Sequence, residues 1–516
     1  MKRKGVSMSK KTIIIGGVAG GATTAARLRR RDESMEIIMF ERGEYISYAN
    51  CGLPYYVGDV IKNRDALLLQ TPEMMKAKFN IDVRIASEVI AIHRDKKQVT
   101  VRNCKTGESY EESYDTLVIA TGSSPIKPRM QGVDAENIFT IWSVSDTDRI
   151  KAYMKEREVT RAAVIGGGFI GVEMAENLHA AGLKVTLIEM QNQVLAPLDY
   201  EMAQLIHENM RQNGIELRLG DGVKAFEHRA DATKITFTSG NTMETDLIVL
   251  AIGVKPNSSI AKEAGILTNE KGGIVVDSSL RTSDPYIYAV GDVIEVDEFI
   301  LRERTMIPLA GPANKQARIC ADNIAGDQKQ YKGSLGTAIA KVFDLNAASA
   351  GINEKVLKAQ GKVKNKDYFT ALIVQKSHAG YYPGATNLTL KMVFDKNGKI
   401  LGAQIVGQDG VDKRMDTLAT TMRLGGTIYD LEELELAYAP PFSSAKDPVN
   451  MLGFVAENIL SGLASFIEWE ELDALVANAD LRNTYTILDV TEDMERMAYQ
   501  LPNSSHTPWS IAYKDG

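Results

Sequence analysis

The chain has 516 residues, of which 44% are hydrophobic and 25% are charged. This length is too great for one hydrophobic core and predicts about three domains of ~150 residues each. The net charge of −7 gives no reason to expect binding to nucleic acid or to a membrane, and no apolar run approaches the ~20 residues that span a bilayer. The three cysteines, Cys51, Cys104 and Cys320, do not suggest a disulfide framework and predict a reducing, cytoplasmic setting.

The first predicted unit consists of a strand, a glycine-rich turn, a helix and a second strand. The strands cover residues 12–15 and 36–41, and the helix covers residues 22–31. In such a unit the free N–H groups at the start of the helix bind a pyrophosphate, and a carboxylate after the second strand accepts hydrogen bonds from ribose hydroxyls. Glu41 supplies that carboxylate, although Val18 occupies the place of the usual middle glycine. The unit predicts a dinucleotide site.

The second predicted unit repeats this order, with strands at residues 162–165 and 184–189 and a helix at residues 172–181. Its turn has glycine at all three positions of the G-x-G-x-x-G pattern, Gly166, Gly168 and Gly171. Glu189 ends the second strand, where an acid favours the 2′-hydroxyl of NAD and repels the 2′-phosphate of NADP. The sequence therefore predicts NADH as the donor, with NADPH as the alternative.

Apolar runs and turns predict the remaining elements. Three buried strands are expected where such runs end in glycine or an acid, at residues 117–122, 247–253 and 287–292. The last third of the chain mixes a helix at residues 412–424 with strands at residues 371–374, 388–394 and 401–406. A turn at residues 395–398 joins two of these strands. An α+β domain fits this part of the chain.

Cys51 lies between the two dinucleotide units, in the segment Ser-Tyr-Ala-Asn-Cys-Gly-Leu-Pro-Tyr at residues 47–55. A single cysteine in this place suggests a flavin that passes electrons to one thiol. The thiolate is the reactive form, so we expect the flavin environment and nearby dipoles to depress the pKa of Cys51. The alternative is an inert buried cysteine. Cys104 lies in a polar, hairpin-like stretch and Cys320 in a predicted helix at residues 317–324, and both are predicted to be passive.

These motifs resemble the pyridine nucleotide-disulfide oxidoreductases over roughly residues 10–460. The resemblance implies an α/β fold with two Rossmann-like dinucleotide-binding domains, for FAD and NAD(P), and an α+β C-terminal dimerisation domain. The implied boundaries are an FAD domain in two segments, 8–118 and 251–332, an NAD(P) domain at 119–250 and a dimerisation domain at 333–460.

The resemblance also implies which residues contact the cofactors. Those implied for FAD are Gly16, Val18, Ala19, Gly20, Gly21, Glu41, Arg42, Val89, Ala120, Thr121, Gly122, Gly291, Asp292, Pro308, Leu309 and Ala310. Those implied for NAD are Gly166, Gly168, Phe169, Ile170, Gly171, Glu189 and Gly253. No metal site is predicted.

The better-known members of this family have a C-x4-C cysteine pair and a C-terminal histidine base. Here Cys51 has no such partner, and residues 436–446 contain no histidine. This leaves the single-cysteine members: NADH oxidases, NADH peroxidases, and coenzyme A-disulfide or persulfide reductases. Peroxide-cleaving members resemble one another in a histidine in the first glycine loop, where this chain has Ala19.

The surroundings of Cys51, with Tyr381 and Tyr438, resemble the coenzyme A-disulfide reductases. In that family a tyrosine pair from the partner subunit stabilises or protonates the leaving thiolate, which implies a homodimer with composite active sites. The positions that match contacts to coenzyme A are Thr23, Arg27, Arg30, Ser47, Asn50 and Lys446. A solvated basic helix end is the alternative interpretation of the arginines.

The expected function is FAD-dependent transfer of electrons from NAD(P)H through Cys51 to CoA disulfide, CoA persulfide or polysulfide, by way of a Cys51–CoA mixed disulfide. One alternative is an NADH oxidase or peroxidase that cycles Cys51 as a sulfenate. Another is a redox-sensing flavoprotein that binds both cofactors without turnover.

Residues 467–516 resemble the opening of a rhodanese domain, and the resemblance rests on the segment 467–475 followed by the segment 485–490. No cysteine follows Cys320, so a sulfur-carrying cysteine is absent from this tail. We expect a degenerate or truncated module. Ser504 and His506 suggest a nucleophile and base, but a polar loop is the preferred interpretation.

Overall fold

The computed structural model describes residues 10–229, 232–478 and 484–511. The chain divides into two compact units, one ending at Phe454 and the other beginning at Val455. Within the described residues, no helix has both the length and the apolar character that crossing a membrane requires. Residues 8 and 9 of the first predicted domain, and residues 479–483 and 512–516 of the predicted tail, lie outside the described residues.

A five-stranded parallel sheet, the first parallel sheet, organises the beginning of the chain. Its strands, in spatial order, are Ile287–Ala289, Thr116–Ile119, Lys11–Ile15, Glu36–Phe40 and Asp82–Arg84. Isoleucine, valine and leucine fill the central strands, which are buried as expected for a parallel sheet covered on both faces. The edge strand Ile287–Ala289 comes from a distant part of the sequence, so two separate chain segments build this sheet.

A second five-stranded parallel sheet lies between those segments in the sequence. Its strands, in spatial order, are Glu216–Leu219, Lys184–Glu189, Arg161–Ile165, Leu247–Leu250 and Ile138–Thr140. The chain passes between the two parallel sheets twice, and the passing segments Ser123–Pro125 and Val254–Pro256 pair as antiparallel strands.

Two three-stranded antiparallel sheets accompany the parallel ones. The first contains Ser87–His93, Gln98–Asn103 and Ser109–Ser113. The second contains Val223–His228, Thr233–Phe237 and Thr242–Thr245. A further short pair joins Val296–Asp297 to Arg304–Thr305.

The C-terminal part of the first unit is built on a five-stranded antiparallel sheet. Its strands, in spatial order, are Ala338–Val342, Leu345–Gly351, Ile400–Gly407, Asn387–Asp395 and Tyr368–Lys376. The predicted turn at residues 395–398 is confirmed, since the N–H of Gly398 donates to the carbonyl of Asp395 at 2.9 Å. Helix Val411–Leu424 packs against this sheet, which confirms the predicted mixture of strands and helix.

The other helices cover the sheets or connect them. The α-helices are Ala19–Arg31, Leu53–Val57, Pro72–Phe79, Val144–Glu156, Phe169–Ala180, Tyr200–Gln212, Ser259–Glu263, Ala310–Ile324, Glu354–Ala359, Ile428–Glu433 and Pro448–Leu460. Short 3₁₀ turns occupy Asn50–Gly52 and Arg64–Leu67.

The helices after the two glycine turns begin earlier than predicted, at Ala19 instead of residue 22 and at Phe169 instead of residue 172. The prediction placed each start after the last glycine. Gly21 and Gly171 lie inside the first turn because the missing side chain lets the helix pack directly on the preceding loop.

The second unit contains helices Trp469–Ala477 and Asp493–Ala498 and a parallel pair of strands, Ile487–Asp489 and Ser504–His506. The predicted loop at residues 504–506 is therefore wrong, because these residues pair with the earlier strand. The Ser504 hydroxyl donates to the Leu501 carbonyl, and the His506 ring bonds the Thr491 carbonyl, so the two side chains do not form a nucleophile–base pair.

A buried ion cluster joins the five-stranded antiparallel sheet to the start of helix Tyr200–Gln212. The Lys391 side chain is 1% exposed, and its ammonium contacts carboxylates of Asp199, Glu201 and Glu354. The three carboxylates lie close enough together to hold a cation, and Lys391 supplies the positive charge at that point. Burial alone would raise the pKa of Glu354, but Lys391 and Lys364 together lower it to about 2.

We predict that Lys391→Met strongly destabilises the first unit, because it removes the buried cation that contacts all three carboxylates, of which those of Asp199 and Glu354 are buried. The free energy of unfolding should fall by about 3–5 kcal/mol at neutral pH, measured by urea denaturation. Lys396→Met, in the exposed turn after the same strand, is the control and should change it by about 0.5 kcal/mol or less. Equal stability of the two variants would contradict this account of the cluster.

Candidate active site

The first glycine loop is shaped by contacts that only glycine permits. Gly16 has φ +103°, and a Cβ there would lie 2.2 Å from the carbonyl oxygen of Ala120. A Cβ on Gly21 would lie 1.8 Å from the carbonyl oxygen of Gly16. The loop therefore packs tightly against the strand ends of the first parallel sheet. Helix Ala19–Arg31 begins in this loop, so the free N–H groups of its first turn lie beside it.

The Glu41 carboxylate holds this loop in place by accepting two backbone hydrogen bonds. It accepts the N–H of Gly17 at 2.9 Å and the N–H of Gly43 at 2.8 Å. Each oxygen has a second lone pair, so both can still accept a ribose hydroxyl. A cavity of about 130 Å³ lies beside this carboxylate, and its lining includes the predicted FAD residues Gly16, Glu41, Arg42, Val89 and Thr121.

The second glycine loop has the same construction. A Cβ on Gly166 would lie 2.3 Å from the Ala251 carbonyl oxygen, and one on Gly171 would lie 1.8 Å from the Gly166 carbonyl oxygen. Glu189 accepts the N–H of Gly167 at 2.7 Å. A Cβ on Gly168 would meet nothing within 4 Å, so the loop is open on the side where a pyrophosphate would approach.

The other predicted NAD residues flank this loop. Phe169 and Ile170 form the first turn of helix Phe169–Ala180, and Gly253 has φ +106° after strand Leu247–Leu250. The structure thus gathers the predicted NAD residues around one helix start.

The two loops share one more feature, which bears on Ser47. The N–H of Ser47 donates to the Gly17 carbonyl at 2.8 Å, and the backbone of Ser47 is left-handed, with φ +44°. Leu195 makes the equivalent bond to Gly167 at 2.7 Å with φ +51°. The left-handed backbone of Ser47 therefore belongs to the architecture of the loop, and contact of its side chain with a substrate remains a prediction.

The late segment of the first parallel sheet brings Asp292 to the site. The Ser123 hydroxyl donates to the Asp292 carboxylate at 3.0 Å, and burial raises the pKa of Asp292. The N–H of Gly291 donates to the Gln316 side chain at 2.8 Å. The remaining predicted FAD residues lie at the adjoining loop ends and at the start of helix Ala310–Ile324: Val18, Ala19, Gly20, Ala120, Gly122, Pro308, Leu309 and Ala310.

Sequence reasoning missed Asn257, which holds the two passing segments together. Its side chain donates to the Thr121 carbonyl at 2.9 Å and accepts the Ser124 hydroxyl at 2.7 Å. It also lines the 130 Å³ cavity. Because Asn257 belongs to no recognisable motif, only the pairing of two distant segments reveals it.

Cys51 lies in the 3₁₀ turn Asn50–Gly52, immediately before helix Leu53–Val57. The residue is exposed and its thiol is free. The neighbouring Asn50 has a buried side-chain oxygen with no hydrogen-bond partner. An acceptor left unsatisfied beside a reactive thiol suits a ligand that brings a donor.

The protein's own groups do not depress the thiol pKa, and the depression expected from the flavin environment stays a prediction. The residue is exposed, yet the protein atoms around its sulfur partly desolvate it; this desolvation raises the pKa of Cys51, and the carboxyl groups of Glu173 and Asp292 raise it further. The backbone N–H of Cys51 lowers it by less. The negative charges of these two carboxyl groups therefore oppose the thiolate.

Glu173 and Tyr55 are site residues that the sequence analysis missed. The Tyr55 hydroxyl donates to the Glu173 carboxyl at 3.4 Å, and burial raises the pKa of Glu173 to about 7. The available signal was an acid two residues after Gly171, within the otherwise apolar first two turns of a helix.

The residues predicted to contact coenzyme A have partners within the protein or are exposed. Arg27 forms an ion pair with the buried carboxylate of Asp322 at 2.7 Å, and Thr23 donates to Asn314 at 2.6 Å. Arg30 lies over the ring of Phe79 at 5.1 Å, and Lys446 is exposed. The expected basic cluster is therefore partly neutralised, and Arg27 serves first to hold two helices together.

Tyr381 and Tyr438 are brought together although 57 residues separate them. Their hydroxyl oxygens are 3.2 Å apart, and the side chains are 76% and 50% exposed. The hydrogen bond between the two hydroxyl groups raises the pKa of Tyr381. A mutually bonded pair of exposed phenols is a group ready to donate a proton to a ligand.

The other two cysteines lie as predicted. Cys104 is exposed in the turn after strand Gln98–Asn103, and Cys320 is buried in helix Ala310–Ile324, where burial raises its pKa.

Comparison with known proteins agrees with this geometry. Residues 10–317 match the model for the pyridine nucleotide-disulphide oxidoreductases, and residues 337–448 match the dimerisation domain of that family. The chain is 38% identical to the coenzyme A disulfide reductase of Staphylococcus epidermidis over 449 residues, which are 87% of this chain and all of that protein.

Two solved structures are similar over nearly the whole chain. Reduced Bacillus anthracis CoADR-RHD is 49% identical, with a TM-score of 0.93 over 98% of this chain and 90% of that one. A NAD-dependent persulfide reductase from A. fulgidus is 37% identical, with a TM-score of 0.90 over 98% of this chain and 91% of that one. The rhodanese-like interpretation of residues 467–516 stays a prediction.

The predicted family and fold class are confirmed by these matches and by the two parallel sheets with their glycine loops. The chain therefore belongs to the pyridine nucleotide-disulphide oxidoreductase family, whose members are oxidoreductases that use FAD and NAD(P)H.

Proposed function

We propose that the protein passes electrons from NADH through FAD and Cys51 to the disulfide of coenzyme A or to the corresponding persulfide or polysulfide. The observation that carries this proposal is the exposed pair of bonded phenols, Tyr381 and Tyr438, in the region that matches the dimerisation domain. The similarity to a coenzyme A disulfide reductase and to a NAD-dependent persulfide reductase supports the same substrate class.

The residues fit both cofactors. The first loop with Glu41 and the adjacent cavity would hold FAD, which supplies two-electron chemistry when bound. The second loop with Glu189 would hold the nicotinamide cofactor, and this acid supports NADH over NADPH. We infer an FAD domain of two segments, 8–118 and 251–332, around an NAD domain at 119–250, followed by a dimerisation domain at 333–460.

The chemistry of the chain's own groups begins with the Cys51 thiolate. Its sulfur attacks one sulfur of the substrate disulfide, forms a mixed disulfide and releases the other half as a thiolate. Two electrons later cleave the mixed disulfide, which restores the Cys51 thiolate and releases the second thiol. The Asn50 oxygen, the Ser47 side chain and the cations Arg27, Arg30 and Lys446, with Thr23, are the proposed contacts for the substrate.

The released thiolate needs a proton, and the two phenols can supply one. We infer a homodimer in which Tyr381 and Tyr438 of one subunit face Cys51 of the other, since the phenols are exposed on the region that matches the dimerisation domain. The three free cysteines also support a reducing, cytoplasmic setting for this thiol chemistry.

We predict that Cys51→Ser abolishes anaerobic NADH oxidation driven by CoA disulfide, with a loss of at least about 10³-fold in kcat, because serine cannot form the mixed disulfide. Cys104→Ser is the matched control and should retain activity, since Cys104 lies in an exposed turn. NADH should still bleach the flavin in both variants. If the parent protein turned over only with oxygen or peroxide, the sulfenate mechanism would be favoured. If the parent protein turned over with no acceptor, a redox sensor would be favoured.

The composite site makes a separate prediction about mixed dimers. Cys51→Ser and the double variant Tyr381→Phe, Tyr438→Phe should each be impaired as homodimers, the second by about 10²-fold as expected for loss of a general acid. Co-expression of differently tagged subunits should restore activity in the purified heterodimer, because one of its two sites keeps the cysteine and both tyrosines. A heterodimer as inactive as its parents would place the tyrosines and the cysteine in the same subunit.

A further inference from the structure

The two bonded phenols belong to separate connecting segments of the chain. Tyr381 lies in the first connection, residues 377–386, between two strands of the five-stranded antiparallel sheet. Tyr438 lies in the second connection, residues 434–447, between two helices. Both side chains are exposed, so water competes for their hydroxyl groups and the bond between them contributes little net stability. The alignment of the pair therefore depends on what holds the two connections together.

A buried arginine contacts both connections. Arg414 lies in helix Val411–Leu424, and its side chain is 2% exposed. Its Nη2 donates to the carbonyl oxygen of Ser377, the first residue of the first connection, at 2.8 Å. The same nitrogen lies 3.0 Å from a carboxylate oxygen of Asp447 and 3.3 Å from the hydroxyl oxygen of Ser443, both in the second connection. One guanidinium group therefore links the two connections.

Further hydrogen bonds extend this link within each connection. In the first connection the N–H of Ser377 donates to the Thr386 carbonyl at 2.8 Å, and the N–H of Thr386 donates to the Ser377 hydroxyl at 3.1 Å. These bonds close the base of the first connection. In the second connection the N–H of Ser443 donates at 3.1 Å to the carbonyl of Ala439, the residue after Tyr438. A displacement of the guanidinium group would therefore reach both connections through direct bonds.

The surroundings of the guanidinium group suit arginine and not lysine. Gly410 precedes the helix with φ +72°, and a Cβ there would lie 2.0 Å from Nη1 of Arg414. Lys413 also lies near Asp447, but its ammonium is 3.9 Å away and its side chain is 39% exposed. A lysine in place of Arg414 would bring one ammonium to Asp447 without the planar fork that also holds the Ser377 carbonyl.

We propose that Arg414 is a positioning residue that aligns Tyr381 with Tyr438, so that the two phenols meet a ligand as one proton-donating group. Among the described residues, its hydrogen bonds go to the two connections and to the Gly410 carbonyl, so it acts on the phenols through the segments that it links. The alignment itself needs no substrate, whereas its effect on turnover rests on the proposed function.

The first test observes the phenol pair without any substrate. 3-Fluorotyrosine replaces Tyr381 by stop-codon suppression, and fluorine NMR of the FAD-loaded protein is recorded at neutral pH. The fluorine lies beside the hydroxyl group, so its chemical shift responds to the hydrogen bond of that group. Tyr438→Phe gives the shift of the unpaired phenol. Arg414→Lys, which keeps a cation beside Asp447, should move the shift most of the way from the parent value to that of Tyr438→Phe.

Arg423→Lys is the matched control, because it makes the same substitution on the same helix. Arg423 donates to the carbonyl of Gly333 at 3.1 Å and lies over the ring of Phe299 at 4.3 Å. These partners belong to neither connection, so the fluorine shift should equal that of the parent.

Ser443→Ala keeps both buried charges and removes only one bond of the link, so it should move the fluorine shift in the same direction by less. It decides the question alone if Arg414→Lys does not fold. An unchanged shift in both variants, or an equal change in Arg423→Lys, would overturn the proposal. The same holds if Tyr438→Phe has the parent's shift, because the phenols would then not be paired.

The second test measures turnover in a double-mutant cycle. Arg414→Lys should lower kcat for anaerobic NADH oxidation by CoA disulfide about tenfold, within the ~10²-fold that a small misplacement can cost. The same substitution in the Tyr381→Phe, Tyr438→Phe background should change kcat by less than about twofold, because the group that it positions is already absent. The rate at which NADH reduces the flavin should be unchanged in both backgrounds.

Equal losses of kcat in the two backgrounds would indicate a general structural role of Arg414 and overturn the proposal, as would no loss in either. If the parent did not turn over CoA disulfide at all, the proposed function would be contradicted instead. The fluorine spectra would then decide the alignment by themselves.

Discussion

The close approach of glycine to backbone in the two dinucleotide loops is the constraint on which the rest of the structure depends. At Gly16 and Gly166 a single methyl group would collide with the carbonyl oxygen of a neighbouring strand end, Ala120 or Ala251. These contacts fix where each helix starts, and the carboxylates of Glu41 and Glu189 lock the loops by accepting an N–H from Gly17 and Gly167. The same loop construction occurs twice, so one chain is suited to bind two dinucleotides.

The first loop also determines where the thiol lies. The backbone of Ser47 bonds the Gly17 carbonyl in a left-handed conformation, and the chain continues from there into the turn that carries Cys51. The loop proposed to bind FAD and the segment with the proposed redox cysteine are therefore connected directly. The buried, unsatisfied oxygen of Asn50 lies on the same turn, on the residue next to Cys51.

Much of this could be predicted from sequence because the signals are local. Apolar runs that end in glycine predict buried strands, and both dinucleotide units follow a fixed order that Gly16, Gly166 and their acids identify. The helix starts were misplaced by three residues because glycine was treated as a break, whereas Gly21 and Gly171 are part of the helix and its packing.

The electrostatic environment of Cys51 could not be predicted, because it depends on distant residues. Glu173 and Asp292 reach the sulfur from separate parts of the sequence, and together with partial desolvation they raise the thiol pKa, an effect that the motif alone did not show. Likewise, the sequence suggested that Arg27 and Arg30 of helix Ala19–Arg31 are available to contact coenzyme A. The structure commits Arg27 to the buried carboxylate of Asp322, almost 300 residues away.

The central claim is that Cys51 carries the substrate as a covalent disulfide. Peptide mass spectrometry of the protein after anaerobic incubation with CoA disulfide tests it most directly. The account predicts coenzyme A linked by a disulfide to the peptide that contains Cys51, and its loss when NADH is added. Steady NADH oxidation by CoA disulfide with an unmodified Cys51, or with Cys51 found only as a sulfenic acid, would contradict it.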